Sequence, residues 1–470
     1  MSDTTYTRNK ESGQLLVLVL VFGAVFLIII SSFISSVVSQ ARVVDVRFEQ
    51  HRATEIAEAG LNYYKWYLAH YPDDVSGSGT YVYDDPEDGA IGTYELAITD
   101  SSYCGHISSI EVTSTGRTYV NPDALAIVSA TYKRPTVAEY SFISNSGVWY
   151  DSTSVVTGPI HSNQGLRMEA SHNSVVGSGQ ATWDCDSSYG CTPTVTGAPG
   201  VYSSGGVSTP GLFQYPVSPI DFAGITLDLS QMKASAQSDG IYYGPTAGYG
   251  YRVVFNGNST IDVYRVTGTY NYYSYSSAEG THPNGTYDGE RNVITAETQI
   301  ANDRLIDADC PVLFFEDKTW IEGDVNQKVA LAAGLNTIDP QTNVVVNGDM
   351  TYVAGTNAGI VVIAEDDIDI GVEVPEDMLL HGIYIAQNGR YGRNYYHLNW
   401  FPASLDDDVM KNSLTTLGTA VSNQRAVTQW GSSGFVVDSG SFDRDQVDDP
   451  PPLTPTTNDV YELQDWRSEG

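Results

Sequence analysis

The fold of this chain is decided by the stretch LLVLVLVFGAVFLIIISSFISSVV, which extends from Leu15 to Val38. No charged residue lies between Glu11 and Arg42, and a helix of this length crosses roughly 30 Å of hydrocarbon at about 1.5 Å per residue. The apolar run is longer than that of a secretory signal peptide, and no A-x-A cleavage site follows it. The sequence therefore predicts a transmembrane segment at 15–38 that stays attached to the chain.

The same helix is predicted to continue beyond the membrane. From Arg42 to Tyr71 the chain has no proline and one glycine, and Pro72 marks the stop. Seven residues recur at intervals of three and four, which places them in one stripe along a helix: Ala53, Ile56, Ala57, Gly60, Leu61, Tyr64 and Leu68. We predict a helical segment at 14–75, in which one continuous helix of roughly 55 residues is about 80 Å long and ends before Pro72. Its outer half packs this stripe on a β-rich domain.

Acidic residues outnumber basic ones by 57 to 23 in the 470 residues, which gives a formal net charge of −34. A field of this sign repels nucleic-acid phosphates and anionic lipid headgroups, so neither is a ligand of the domain outside the membrane. Glycine (44) and tyrosine (32) are abundant, and this composition favours strands and turns over helices. The bulk of the chain is therefore predicted to be β.

A short polar leader precedes the apolar run and ends in Lys10-Glu11-Ser12-Gly13, and the helix contains ATEIAEAGLNYYKWYL from Ala53 to Leu68. A leader, a long apolar helix and a β-rich domain in this order resemble type IV prepilins and pseudopilins, and the Ala53–Leu68 stretch is similar to that of PilX-like minor pilins. The resemblance implies that a prepilin peptidase cuts between Gly13 and Gln14 on the cytoplasmic face. It also implies that the helix contacts membrane lipid and other pilin-like subunits, with the body of this single-pass protein outside the cytoplasm.

Two positions depart from the pattern of major pilins. The first residue after the implied cleavage is Gln14, where that family usually has phenylalanine, and the fifth is Leu18, where it usually has glutamate. In the family this glutamate is thought to neutralise the terminal amine of a neighbouring subunit, and a buried amine without a partner is unfavourable. The departure implies a minor, tip-located or initiating subunit rather than one that repeats along a fibre.

Composition and turn signals divide the chain into segments. The region from 81 to 140 forms either a small sheet on the helix or the first strands of the main domain, and the tyrosine-rich insertion predicts a hairpin whose composition is typical of adaptable binding surfaces. The proline run near the end predicts an extended surface tail. The predicted segments are a leader at 1–13, the helix at 14–75, a small β subdomain at 81–140, a β-rich head at 141–435 with its insertion at about 240–290, and an acidic, proline-rich tail at 436–470.

A loose repeat predicts the architecture of the head. Ile321-Glu-Gly-Asp324 recurs as Val346-Asn-Gly-Asp349, 25 positions on, and Ile363-Ala-Glu-Asp recurs as Ile385-Ala-Gln-Asn, 22 positions on. Short strands at this period, with Asn, Asp or Gly at the corners, are typical of a solenoid, here a parallel β-helix. A β-sandwich is the alternative fold.

Four cysteines are present, and none forms a C-x-x-C pair. Cys185 and Cys191 flank the turn-forming DSSYG, and we predict that a disulfide closes this loop outside the cytoplasm. Two buried free thiols are the alternative. A bond between Cys104 and Cys310 is left open, because spacing does not show that their Cα atoms are close.

No common enzyme motif is present: the chain has no GxSxG, no HExxH, no Walker A loop and no GxGxxG after a strand. His161 and His381 fall in the repeats, where a stacked, hydrogen-bonded histidine is the expected structural residue. We predict that the protein is not an enzyme and has no catalytic residue, no cofactor and no assignable metal site.

Two acidic clusters are the alternatives to that prediction. Glu365, Asp366, Asp367 and Asp369 resemble the carboxylates of a polysaccharide-cleaving site, although a solvated acidic turn also explains them. The same cluster, or Asp84, Asp85 and Asp88, supplies oxygen ligands for calcium without matching an EF-hand loop.

The predicted function is that of a minor pilin or pseudopilin subunit. Its helix enters a type IV filament or the initiating complex, and its head is displayed with a surface glycan or protein as a candidate adhesive ligand. A stand-alone membrane-anchored surface adhesin is the alternative, followed by an anchored polysaccharide-active enzyme. The mature N-terminus separates the first two: Gln14 indicates processing and assembly, whereas an intact Met1 indicates simple anchoring.

Overall fold

A computed structural model describes residues 12–72, 74–87, 89–225, 229–276, 288–337, 342–397 and 403–469. Lys10 and Glu11 of the predicted leader and Asp88 of one acidic cluster lie outside the described residues. The chain divides into two compact units. Unit 1 comprises Met1–Thr99, Ile110–Tyr132 and Leu463–Gly470, and unit 2 comprises Asp100–Ser109 and Lys133–Glu462.

The elements of the described residues are as follows. The helices are α1 (Ser12–His70), α2 (Phe222–Ile225), α3 (Leu229–Ser238) and α4 (Arg444–Asp448), with single 3-10 turns at Val137–Glu139, Ser187–Tyr189, Pro210–Leu212 and Ala403–Asp408. The first strands are β1 (Gly79–Asp85), β2 (Gly89–Tyr103), β3 (His106–Thr118), β4 (Leu125–Lys133), β5 (Phe142–Ser144), β6 (Val148–Tyr150), β7 (Val155–Thr157), β8 (Ile160–Ser162), β9 (Leu166–Met168), β10 (Ser171–His172), β11 (Val176–Ser178), β12 (Thr182–Cys185), β13 (Val195–Pro199), β14 (Val201–Tyr202) and β15 (Phe213–Gln214). The others are β16 (Ile241–Tyr243), β17 (Gly250–Asn256), β18 (Thr260–Ser274), β19 (Asp288–Leu305), β20 (Val312–Phe315), β21 (Thr319–Val325), β22 (Lys328–Ala333), β23 (Val344–Tyr352), β24 (Gly359–Ala364), β25 (Ile368–Ile370), β26 (Asp377–Ala386), β27 (Tyr391–Gly392), β28 (Met410–Ser422), β29 (Gly434–Ser441) and β30 (Glu462–Glu469).

The long helix predicted from the sequence is confirmed. α1 is unbroken over 59 residues and ends at His70, just before Pro72, whose ring restricts the residue that precedes it. The predicted stripe is also confirmed: Ala53, Ile56, Ala57, Leu61, Tyr64 and Leu68 are each at most 2% exposed, and Gly60 is buried with them.

Unit 1 packs the outer half of α1 on a sheet with the strand order β1–β2–β3–β4–β30. The helix and the sheet approach each other so closely that one contact site has no room for a side chain. A Cβ atom on Gly60 would lie 2.3 Å from Ser114 Oγ and 2.9 Å from Tyr94 Cδ2. Nearby, the buried Tyr132 hydroxyl donates a hydrogen bond of 2.8 Å to the Leu61 carbonyl. Apolar burial and this bond hold the sheet on the helix.

The last 35 residues differ from the extended surface tail that the proline run predicted. They contain the end of β29, α4 and β30, and the last of these is an edge strand of the unit 1 sheet. Pro450, Pro451 and Pro452 are buried. A proline run cannot enter a central strand, but here it lies between α4 and β30 and packs as an ordered connection.

Unit 2 is built on three series of strands, which we call ladders A, B and C and in which neighbours pair in parallel. Ladder A has the order β16–β20–β22–β24–β26–β28–β5–β8–β11–β15. Ladder B has the order β17–β21–β23–β25–β27 and, separately, β6–β9–β14. Ladder C has the order β23–β26–β28–β29–β7–β10, with the long strands β23, β26 and β28 contributing to two ladders.

The sequence repeats coincide with the register of these ladders. Ile321 pairs with Val346 in ladder B, at the offset of 25 that the first repeat has. Ile363 pairs with Ile385 in ladder A, at the offset of 22 that the second repeat has. Parallel pairing at the repeat period explains why the same residue types recur, because each copy occupies the same place in its strand.

Ladder A is buried on both faces, which explains its nearly continuous apolar strands. In β24 and β26, alternate residues such as Val362 and Tyr384 enter one apolar cluster, and their neighbours Ile363 and Ile385 enter another. The second cluster includes Met232 and two further buried residues of α3. α3 therefore covers the face of ladder A that would otherwise meet solvent.

The order of strands in ladders A and C is not their order in the chain. Residues 142–214 supply the strands at one end of these ladders, and residues 241–441 supply the strands at the other end. The last strands of the second segment pair with the first strands of the earlier segment. The two segments meet where Ala420 pairs with Phe142 in ladder A and Ser439 pairs with Val155 in ladder C. We call this meeting point the junction. A row of side chains continues across it, because Asn145 Nδ2 donates to Asn423 Oδ1 at 2.8 Å and Asn163 Nδ2 donates to Asn145 Oδ1 at 2.9 Å.

The predicted insertion at 240–290 has two different parts. β16 and β17 pair in parallel with β20 and β21, so they belong to the ladders. β18 and β19 form the antiparallel hairpin that the tyrosine-rich sequence predicted. Its tyrosines are divided between the core and the surface: Tyr272 is 1% exposed, whereas Tyr273 is 52% exposed.

Replacement of Gly60 by alanine tests the close contact in unit 1. The added methyl group overlaps Ser114 and Tyr94, so we expect Gly60→Ala to destabilise the helix–sheet contact by about 1–3 kcal/mol. The measurement is hydrogen–deuterium exchange of β2 and β3, which should become faster.

Gly23→Ala is the matched control, because a Cβ on this second glycine of α1 has no atom within 4 Å. Exchange in β2 and β3 should stay unchanged in that variant. Equal exchange in the two variants would show that the close approach at Gly60 is not a packing constraint.

Candidate functional site

The inner half of α1 is an apolar surface that no other described part of the chain covers. Every side chain from Leu15 to Phe48 is exposed, and α1 is long and apolar enough to cross a membrane. Contiguous apolar surface of this extent is rare on monomeric soluble proteins and marks contact with lipid or with a partner. Residues 15–48 are therefore the first candidate functional surface.

The predicted cleavage site lies at the start of this surface. Gly13 and Gln14 are both in the first turn of α1, and Leu18, one turn further, is 57% exposed. The sequence from Gln14 to Gln40 contains no ionisable side chain. Contacts made by this part of the helix are therefore apolar, apart from the serine hydroxyls and the amides of Gln14 and Gln40. Cleavage between Gly13 and Gln14 remains a prediction.

The acidic cluster of Glu365, Asp366, Asp367 and Asp369 is not the solvated turn that the sequence suggested. Glu365 accepts a hydrogen bond of 2.6 Å from the Leu335 N–H, and Asp367 accepts one of 2.6 Å from the Arg390 N–H. Asp369 forms a buried ion pair of 2.7 Å with Arg390. Burial raises the pKa of Asp367 to about 7, although the Arg390 charge opposes the shift. Glu365, Asp367 and Asp369 therefore join neighbouring segments of the ladders, which sequence spacing alone did not reveal.

No metal site emerges from the described residues. They contain no group of three or more His, Cys, Asp or Glu side chains arranged to hold a metal ion. Asp84 and Asp85 of the second acidic cluster lie at the end of β1. The cluster at 365–369 therefore does not support the calcium alternative, and the other cluster includes Asp88, which lies outside the described residues.

Two buried arginines anchor the tyrosine-rich hairpin, and sequence analysis missed both. Arg390 Nε donates to Ser276 Oγ at 2.8 Å, and Arg393 lies with its guanidinium carbon 5.3 Å from the centre of the Tyr396 ring. Tyr396 in turn contacts the hairpin residue Tyr272, with ring centres 5.9 Å apart. The sequence signal was the pair of arginines in Gly389-Arg-Tyr-Gly-Arg393, in a chain otherwise poor in basic residues.

All four cysteines are in disulfides within unit 2. Cys185 is bonded to Cys191 with Cα atoms 5.7 Å apart, and Cys104 is bonded to Cys310 with Cα atoms 4.6 Å apart. The first bond closes the DSSYG loop. The second joins positions separated by 206 residues, a pairing that sequence spacing left open.

The two singled-out histidines are structural. His161 Nε2 lies 2.8 Å from Asn163 Oδ1, as expected of a hydrogen-bonded histidine. The His381 ring meets Tyr352 edge-on at 5.1 Å, but its buried Nδ1 has no hydrogen-bond partner among the described residues, which differs from that expectation. Burial lowers the pKa of both imidazoles, so both rings favour the neutral form.

Comparisons with known proteins do not identify a family for this chain. No protein-family model matches the chain, and no curated protein matches it. Among solved structures, the competence-associated pilin ComZ from Thermus thermophilus is similar over 90% of this chain and 97% of its own, at 13% sequence identity and a TM-score of 0.29. A superposition this distant has no weight in assigning a function.

Removal of the buried arginine Arg390 tests its structural role. Arg390→Met leaves Asp369 without its counter-ion in a buried site, so we expect unit 2 to lose about 3–5 kcal/mol of stability. The measurement is the temperature of thermal unfolding, followed by hydrogen–deuterium exchange of β25 and β27.

Arg467→Met is the control, since the Arg467–Asp465 pair is exposed, with 63% and 55% of the two side chains accessible. Pairs of this kind contribute little, so the unfolding temperature should not change. An Arg390→Met protein as stable as this control would contradict the assignment of Asp369 and Arg390 as a required pair.

Proposed function

We propose that this chain is a minor pilin-like or pseudopilin-like subunit, in which α1 both spans the membrane and enters an assembly of similar helices. The observation that carries the proposal is the division of α1 into two parts. Residues 15–48 are uncovered and carry no charge before Arg42, whereas the stripe from Ala53 to Leu68 is buried in unit 1. One continuous helix thus has an inner half that no other described part of the chain covers and an outer half that packs on the sheet of unit 1.

A simple anchor explains this division less well than an assembly subunit does. A membrane anchor needs about 20 apolar residues and any flexible link to the folded domain. Here the helix runs without a break from the apolar half into the packed half. A continuous helix transmits the position of the anchor to unit 1, which is useful when neighbouring subunits must be held in register.

The leader and the fifth residue support a minor rather than a repeating subunit. We propose that a prepilin peptidase cuts between Gly13 and Gln14, which leaves Leu18 as the fifth residue of the mature chain. Leu18 offers no carboxylate to a neighbouring amine, and an unpaired buried amine opposes repeated stacking. The same feature favours the second candidate, a stand-alone anchored surface protein, if the leader is not removed.

For unit 2 we infer a parallel β-helix displayed as the head of the subunit. The parallel pairing of ladders A, B and C supports this fold, and it argues against a β-sandwich, whose sheets are antiparallel. The proposed role of the head is structural or ligand-binding rather than enzymatic. The exposed tyrosines of the hairpin, Tyr270 and Tyr273 among them, are a second surface suited to a glycan or protein ligand.

Processing at Gly13 is the direct test of the proposal. In cells that contain a prepilin peptidase, intact mass spectrometry should find a chain that begins at Gln14. Gly13→Leu should leave the leader uncut, because a bulky side chain at the scissile bond blocks approach of the peptidase, and the variant should be absent from sheared filaments.

Gly23→Leu is the matched control. Gly23 lies on the same helix with no atom within 4 Å of an added Cβ, so processing should be normal. A wild-type chain that retains Met1 would favour the stand-alone candidate, and filaments that incorporate uncut Gly13→Leu would count against the assembly mechanism.

A further inference from the structure

Ladder B is interrupted at one place, and a cavity opens there. β27 pairs with β25, Gly392 forms a parallel bridge with Val427, and the ladder resumes only at β6, which pairs with β9. No strand pairing joins residues 148–150 to residues 425–431, although the structure describes both. The gap leads into a cavity of about 460 Å³, a volume typical of small-molecule sites.

Aromatic side chains form much of the cavity wall. Five of the lining residues are aromatic: Phe142, Trp149, Tyr150, Tyr391 and Trp430. Tyr391 is only 5% exposed, and its buried hydroxyl lies near the Thr416 hydroxyl without the geometry of a well-formed hydrogen bond. Burial raises the pKa of Tyr391 far above its usual range, and the nearby Thr416 hydroxyl offsets this only in part. The cavity wall therefore contains a neutral hydroxyl group whose neighbouring polar side chain is Thr416.

Asp438 gives the cavity a carboxylate without a counter-ion. It accepts a hydrogen bond from Thr428 Oγ1, and no described basic side chain forms an ion pair with it. Burial, together with the charge of Asp151 at the cavity wall, raises the pKa of Asp438 to about 6. A buried carboxylate in this state is stabilised by any cation that can reach it.

The one arginine on the described cavity wall does not supply that cation. Arg425 donates a hydrogen bond to the Ser188 carbonyl and lies with its guanidinium carbon 5.0 Å from the centre of the Tyr189 ring. Ser188 and Tyr189 belong to the loop closed by Cys185 and Cys191. Arg425 therefore holds this loop beside the cavity, and it does not act as a counter-ion for Asp438.

We propose that the cavity binds an alkylammonium group, with Asp438 as the counter-ion and the aromatic side chains around its carbon chain. An ammonium group is attracted to aromatic faces and to carboxylates at once. Its N–H groups have an acceptor in the Asp438 carboxylate, and the Tyr391 hydroxyl beside Thr416 offers a second one. The site lies wholly in unit 2, so a test of ammonium binding is independent of the role proposed for α1.

Other ligand classes fit the cavity less well. An anion would meet Asp151 and Asp438 in a chain with a net charge of −34. A neutral sugar would stack on the aromatic rings, but it would leave the Asp438 charge uncompensated. An alkylammonium group both contacts the aromatic rings of the cavity wall and neutralises the Asp438 carboxylate.

The test is calorimetric titration of the full chain in phosphatidylglycerol nanodiscs, whose lipid contains neither an amine nor a sugar. Butylammonium chloride should bind at one saturable site, after subtraction of a titration into empty nanodiscs. The peptide acetyl-Gly-Lys-Gly-amide, compared with its norleucine analogue, distinguishes a lysine side chain from a free amine as the source of the group. Maltose is the neutral probe and should not bind.

Two variants address the two polar groups. Asp438→Asn keeps an acceptor for Thr428 but removes the charge, and it should weaken butylammonium binding about tenfold or more. Tyr391→Phe should weaken binding about threefold and should change the unfolding temperature little, because within the chain the hydroxyl loses only its contact with Thr416. Glu95→Gln removes one charge from an exposed strand position of unit 1 and should leave the affinity unchanged.

The affinity should also depend on pH through Asp438. The groups that face it are Tyr150, Tyr391, Asp151 and Arg425, and burial raises the pKa of both tyrosines, which keeps them neutral in this range. Because only the ionised carboxylate pairs with the cation, binding should be about tenfold weaker at about pH 5 than at about pH 7.5. This dependence should be absent in Asp438→Asn.

Three results would overturn the proposal. One is the absence of saturable binding of butylammonium, and another is equal affinity in Asp438→Asn and the unmodified chain. The third is binding of the norleucine peptide or of maltose in preference to the amine probes. Tighter binding of the lysine peptide than of butylammonium would instead assign the site to lysine side chains, and the reverse order would assign it to free amines.

Discussion

Backbone hydrogen bonding is the constraint on which both units depend. In α1 every interior N–H and C=O group is satisfied within the helix itself, which is the condition for a segment that crosses lipid. The strands of unit 2 cannot satisfy their own groups, and each takes its partners from the strands before and after it in a ladder. A helix therefore needs no neighbouring segment for its backbone hydrogen bonds. The two segments of unit 2, in contrast, each end in a strand whose unpaired N–H and C=O groups need a partner.

The junction covers the open edges of the two segments in ladders A and C, and the cavity lies where ladder B stays open. Residues 142–214 and 241–441 would each end in unpaired strands, and they close on each other through β28–β5 in ladder A and β29–β7 in ladder C. Ladder B does not close in the described chain, because its members β27 and β6 are separated by the loop that contains Val427. Two of three ladders suffice to hold the segments together. The third is left open, and side chains from both segments border the opening.

Sequence analysis succeeded where the structural cause is local. The stripe of α1 follows from helical periodicity, and the register of Ile321 with Val346 follows from a repeat between successive strands. The junction could not be predicted in this way, because Ala420 and Phe142 are far apart in the chain and the offsets near residue 160 are shorter, as in Ile160 with Val176. One signal was present: Ser162-Asn163-Gln164 and Ser422-Asn423-Gln424 are identical tripeptides, and their asparagines lie in one hydrogen-bonded row with Asn145. The cavity had no such signal, since its walls come from both segments.

The scarcity of basic residues connects the acidity of the chain to described carboxylates that no basic side chain neutralises, Asp438 among them. With 23 basic against 57 acidic side chains, the cations that reach the interior of unit 2 are already committed. Arg390 is paired with Asp369, and Lys411 lies 2.7 Å from Asp408 and 3.0 Å from Glu376. A protein with spare arginines would be expected to pair Asp438 from within, since leaving a carboxylate unpaired in a low-dielectric site is costly. Here the carboxylate borders an opening to solvent instead, so the compensating charge has to come from outside the chain.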